Sequence, residues 1–243
     1  MELKYLLGEK GEAAFHNTIG CVHPLIHAAR SKNSIHADLV LNSCVIACNV
    51  TQEIGNINYP PIAYGLCRCV LEIAAGTIQL AKNEDEVEKF MLFGKWRQRE
   101  IAKSFDPPPF PQPPDHTAVG QFFREHLTNP KKPLAHPAWH GLTQNELLGD
   151  AGENAKSLKN NSSAFVHGDA LISIAAMAYS SEQGWRLNLF QPMPLNPRVP
   201  VEMAISICAD LLSAVNDILQ LGCDDVMRRL GENKRALGLT EDV

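Results

Sequence analysis

Apolar positions along this chain repeat at intervals of three and four residues, the period of a helix that buries one face. Ile35, Leu39, Asn42, Val45 or Ile46, Asn49 or Val50 and Ile54 set a helix from Ser34 to Ile54, closed by Gly55. Asn56 to Pro60 reads as a turn. Pro61 suits the first position of the next helix, where a missing N–H costs nothing. That helix, Pro61 to Lys82, carries two apolar stripes, one through Ile62, Leu66, Cys69, Ile73 and Leu80, the other through Cys67, Leu71, Ala74 and Ile78. Being apolar nearly all round, it is expected at the centre of the fold, with Arg68, Glu72 and Gln79 as its polar ridge. Asn83, followed by Glu84, Asp85 and Glu86, reads as an N-cap with an acidic first turn and opens a helix to Lys103.

Six prolines between Pro107 and Pro114 end that pattern, since they suit neither helix nor central strand. Residues 106–114 are expected as an extended surface loop, with docking to a polyproline-binding partner the weaker alternative. His116 to Leu127 predicts a short amphipathic helix and Asn129 to His140 a loop. Thr143, Gln144, Asn145 and Glu146 form a capping box before another short helix. Gly152 to Tyr179 predicts one long helix or two pieces about Gly168. Ser180 to Arg198 is irregular, with Arg186 to Phe190 as one short strand. Val201, Ile205, Cys208, Leu212, Val215 and Leu219 then mark a helix from Pro200 to Leu221, stopped by Gly222, and a charged tail helix runs from Asp224 to Leu237. No internal repeat and no β-rich segment is visible. The expected class is an all-α bundle of about six to eight helices. Residues 1–33 are expected as an N-terminal extension and 34–243 as a single domain.

Composition agrees with a globular chain: of 243 residues, 45% are hydrophobic and 20% charged. A net charge of −5 argues against a protein that coats nucleic acid non-specifically, though not against a small basic cleft. The first residues lack the apolar core of a leader, and the most apolar window, Ile62 to Ala81, contains Arg68 and Glu72. A soluble cytoplasmic protein with no membrane partner is therefore expected. Seven cysteines at irregular spacings, mostly within apolar patterns, suit reduced buried thiols better than a disulfide framework.

Candidate chemistry concentrates between Lys156 and Gly168. Lys156, Asn160, Ser163 and His167 are spaced four, three and four apart and fall on one stripe of a helix. His167 is the group able to move a proton near neutral pH, with Ser163 a turn away as a hydrogen-bond partner and Asn160 and Lys156 able to hold an anion. The alternative is a core histidine bonded to a carbonyl or to Ser163. Arg68 and Glu72, one turn apart, form either a structural ion pair or the charged wall of a cleft. His23 with His27, and His136 with His140, have the spacing of metal ligands. Pro24 and Pro137 interrupt them and no Glu stands between, so no metal site is expected. No cofactor motif, phosphate loops included, is present.

Three segments in order, Arg68–Cys69–Val70–Leu71–Glu72, Trp139–His140–Gly141 through Leu148, and Ser163–Ala164–Phe165–Val166–His167–Gly168, resemble a family of uncharacterised bacterial helical proteins known as a domain of unknown function. That family shows an Arg-x-x-Leu-Glu helix and a later Ser-x-x-x-His-Gly segment, and looks like a relative of the HEPN ribonucleases and nucleotide-binding bundles. The resemblance spans roughly residues 34–179. It implies a HEPN-like bundle that pairs as a homodimer and cleaves RNA without metal, His167 serving as acid and base. Where HEPN proteins place Arg ahead of the His, this chain has Asn160, so Lys156, Lys159 or Arg68 must supply the charge. Three functions are thus expected candidates. One is a HEPN-like endoribonuclease or defence or toxin protein using His167. Another is a non-catalytic bundle binding a protein partner or a nucleotide, as an accessory or antitoxin-like subunit. The third is a small-molecule enzyme with Glu72 and His167 in one pocket.

Overall fold

The computed structural model describes residues 3–57, 60–102, 142, 144–148, 177–180, 184–187 and 196–239. It is an all-α bundle. Its elements are α1 (Leu3–Gly20), α2 (Val22–Arg30), α3 (Ile35–Asn56), α4 (Pro60–Lys82), a 3-10 turn (Glu84–Glu86), α5 (Val87–Ala102), α6 (Gln144–Leu147), strands β1 (Met177–Ser180) and β2 (Gly184–Leu187), α7 (Arg198–Ile218) and α8 (Asp224–Ala236).

Helix α4 lies along both α3 and α7, which also touch each other. This is where a helix with apolar residues on most faces must go. Two apolar clusters stack along these three helices. One joins Leu25, Val40, Cys44, Leu80, Leu212, Val215 and Leu230; the other joins Phe15, Ile54, Cys67, Val70, Val201 and Ile205. Ser34 caps α3 by accepting a hydrogen bond from the Ala37 amide at 3.4 Å. Gly222, at φ 68°, adopts the left-handed backbone that follows the end of α7. Buried His36 donates from Nε2 to the Leu80 carbonyl at 2.7 Å, satisfying an acceptor in the last turn of α4. Lys32 does the same for α7, its Nζ donating to the Leu219 carbonyl at 2.6 Å. Helix α7 is long and apolar enough to cross a membrane by length and composition, yet most of its apolar side chains are core residues of the bundle.

Several expectations change. The N-terminal residues, expected as an extension, form α1 and α2 from Leu3 onward, and Phe15, Cys21, Val22 and Leu25 lie fully or almost fully buried. Gly55 does not close α3 but sits inside it. A Cβ there would meet Phe15 Cζ at 3.0 Å and Leu3 Cδ1 at 3.1 Å, so the glycine lets α1 approach. Asn83 does not cap α5: its Nδ2 reaches back to the Gln79 carbonyl at 2.7 Å, and α5 starts at Val87 behind the 3-10 turn. The predicted helix from Gly152 to Tyr179 does not reach its expected end, because Met177–Ser180 is a strand paired antiparallel with Gly184–Leu187, Tyr179 opposite Trp185. The strand expected at 186–190 thus begins earlier, as half of a hairpin. Pro24 does not interrupt its segment, since it occupies the first turn of α2, where its N–H is not needed. The proline-rich loop at 106–114 lies outside the described residues.

Candidate functional site

The polar ridge of α4 is real. Arg68 Nε donates to Glu72 Oε1 at 2.8 Å across one helical turn. The Arg68 side chain is 14% exposed and that of Glu72 40%, so the guanidinium is shielded while the carboxylate reaches solvent. With Arg ahead of Glu the pair opposes the helix dipole, which argues that its place is set by surroundings rather than by helix stability. Tyr64 extends the ridge by one turn, and burial pushes its phenol upward, so it remains a neutral donor. Its signal in the sequence is the four-residue step to Arg68. Cys69, exposed beside the ridge, has its thiol raised first by desolvation and then by the Glu72 carboxylate.

Glu72 also lines a cleft of about 250 Å³ with Ser43 and Ile46 of α3, Ile73, Gly76, Thr77 and Leu80 of α4, and Phe90 of α5. Ile46, Ile73, Leu80 and Phe90 are its apolar walls, Ser43 and Thr77 add hydroxyl-bearing side chains, and Glu72 supplies negative charge. Thr77 has its hydroxyl turned to the Ile73 carbonyl at 2.7 Å, as a satisfied helix residue does. Sequence reasoning missed Ser43, Ile46 and Phe90 as neighbours of Glu72. The spacing offered Ile46 for the buried stripe of α3, whereas the structure leaves it 45% exposed on the outward side.

Two of the three motif segments come together. Leu148, which ends the segment beginning at Trp139, is buried against Leu71, the residue next to Glu72. Short helix α6 is thereby docked on α4 beside the ion pair. Lys156, Asn160, Ser163 and His167 lie outside the described residues, as do Lys159, His136 and His140. Among the described residues no group of three or more His, Cys, Asp or Glu side chains is arranged to hold a metal, and His23 and His27 are exposed on α2. Comparison with known proteins gives no match to a family model, a curated protein or a solved structure.

Proposed function

We propose that this chain is a metal-independent endoribonuclease of HEPN-like type, acting as a homodimer, with His167 as acid and base and Arg68 as the phosphate-binding cation. The observation that supports it is the shielded, oriented guanidinium of Arg68 on the central helix. The chemistry needs a fixed cation, and the segment from Lys156 to His167 has Asn160 where an arginine is wanted. The docking of α6 beside Glu72 adds to this, because it gathers two motif segments that are more than 60 residues apart in sequence. In the reaction the imidazole of His167 removes the proton of a ribose 2′-hydroxyl, and the oxygen attacks the adjacent phosphorus. Arg68 holds a phosphoryl oxygen and Glu72 keeps its guanidinium in place. The imidazolium of His167 returns that proton to the departing 5′-oxygen, giving a 2′,3′-cyclic phosphate and a 5′-hydroxyl and leaving the imidazole neutral.

The test is incubation of the purified protein with single-stranded RNA in a metal chelator. Cleavage with cyclic-phosphate ends is expected, with none on the equivalent DNA. His167→Ala abolishes it and Arg68→Ala lowers it about 100-fold or more without unfolding the protein. Equal cleavage by wild type and both variants removes the proposal. The cleft favours a second reading, a small-molecule enzyme in which Glu72 and His167 share one pocket. Under that reading Ile46→Trp, which fills the cleft, removes turnover of the small molecule, whereas RNA cleavage by the same variant stays at the wild-type level if the first reading holds.

A further inference from the structure

Independently of that site, the seam between α3 and α7 carries a cluster of sulfur atoms. Cys48 Sγ and Cys208 Sγ are 3.3 Å apart, although the residues are 160 positions apart in sequence. Both are essentially sealed, at 1% and 0% exposure, and Cys44 lies one turn before Cys48 on α3 in the same apolar cluster as Cys21. Aliphatic side chains would fill such a position as well, and no metal site is formed there among the described residues. What the sulfurs add is the ability to become bonded. A disulfide has an S–S length of about 2.05 Å, so the two atoms need to approach by a little over about 1 Å.

We propose that Cys48 and Cys208 form an oxidisable cross-link that fastens α3 to α7 when the protein meets a peroxide. One thiolate attacks the peroxide oxygen and becomes a sulfenic acid, releasing water. The second thiol then displaces the sulfenic oxygen as a second water, so that two thiols and one hydrogen peroxide give one disulfide and two waters. The hydrogen-bonding contact with Cys48 raises the Cys208 thiol well above its ordinary value, and burial raises it further, which keeps the pair unreactive at rest. The Thr51 hydroxyl beside Cys208 acts in the opposite direction, favouring its thiolate. Thiol–disulfide chemistry at this seam therefore waits on an excursion that admits the small oxidant. Its product joins residues far apart in sequence, where a cross-link constrains the unfolded chain most.

The experiment uses the full chain with Cys69→Ser and Cys223→Ser, which removes the two cysteines that are not buried and leaves five thiols. After hydrogen peroxide treatment of the folded protein and alkylation in denaturant, the thiol count is expected to fall from five to three. Peptide mapping is expected to show Cys48 joined to Cys208. The melting midpoint should rise by about 5–10 °C and return on adding a dithiol reductant. Cys48→Ala in the same background should keep all its remaining thiols. Retention of all five thiols in the parent, or a linkage between any other pair, overturns the proposal. The linkage map of the parent decides the matter even where the Cys48→Ala protein fails to fold.

Discussion

At the scale of single residues, two glycines within helices have opposite meanings. Gly55 in α3 faces Phe15 Cζ and Leu3 Cδ1 at 3.0 and 3.1 Å from where a Cβ would stand, whereas Gly76 in α4 has no atom within 4 Å of that point. Alanine gains about 1 kcal/mol of helix propensity over glycine at either site. At Gly55 overpacking costs about 1–3 kcal/mol, since the Phe15 ring is rigid and fully buried. Gly55→Ala is therefore expected to lower stability by about 1 kcal/mol and Gly76→Ala to raise it by about 0.5–1 kcal/mol in urea unfolding. Equal shifts for both would show that the contact at Gly55 carries no strain. The sequence offers no means of separating the two, because the atoms that crowd Gly55 come from a helix some 40–50 residues earlier. The Arg68–Glu72 pair is the opposite case. It is a local i,i+4 relation, and spacing alone was enough to find it.

At the scale of helices, legibility follows the continuity of the apolar pattern. Helices α3, α4, α7 and α8 present unbroken steps of three and four and were anticipated to within a few residues. Helix α1 was not, because Gly8, at φ 72° and ψ 168°, breaks it and separates Leu3 from the face made by Gly11, Ala14, Phe15 and Thr18. Thr18 further disguises that face: it is polar yet buried, its hydroxyl donating to the Ala14 carbonyl at 2.8 Å. The hairpin is hidden in the sequence because Met177–Ser180 is short, and the preceding residues from Ala170 form an apolar run that suits a buried helix equally well. Docking of α1 now has a measurable consequence. Phe15 is fully buried in the apolar cluster that α1 shares with α3, α4 and α7, whereas Tyr5 on the same helix is 77% exposed. Phe15→Ala is expected to cost about 3–5 kcal/mol and Tyr5→Ala less than about 0.5 kcal/mol. A loss below about 1 kcal/mol for Phe15→Ala would mean that α1 is an appendage after all.

For the molecule as a whole, the core is unusual in what it buries: five of its seven cysteines are sealed inside, and the first cause of the raised thiol values at Cys21, Cys44 and Cys67 is burial. The Cys67 thiol, which donates to the Pro200 carbonyl at 3.1 Å between α4 and α7, is pushed from 9.0 up to about 12. A group whose folded value is raised gives stability that is whole below its unfolded value and is lost as pH climbs toward the folded one. Here the unfolded chain gives up protons first, so the slope of stability against pH is negative above pH 9.0. One such thiol costs about 1.4 kcal/mol by about pH 10, and the raised thiols of Cys44 and Cys208 act in the same direction. Urea unfolding is therefore expected to give a plateau up to about pH 8.5 and a steep decline beyond it, steeper than lysine and tyrosine titration alone produces. In Cys67→Ala the decline should be shallower by about 1.4 kcal/mol between about pH 8 and pH 10, whatever the variant's stability at neutral pH. The comparison rests on slopes because the cavity left by alanine lowers the whole curve without tilting it. Parallel curves for wild type and variant would show that the Cys67 thiolate finds water or a cation in the folded state, and that the seam between α4 and α7 is open.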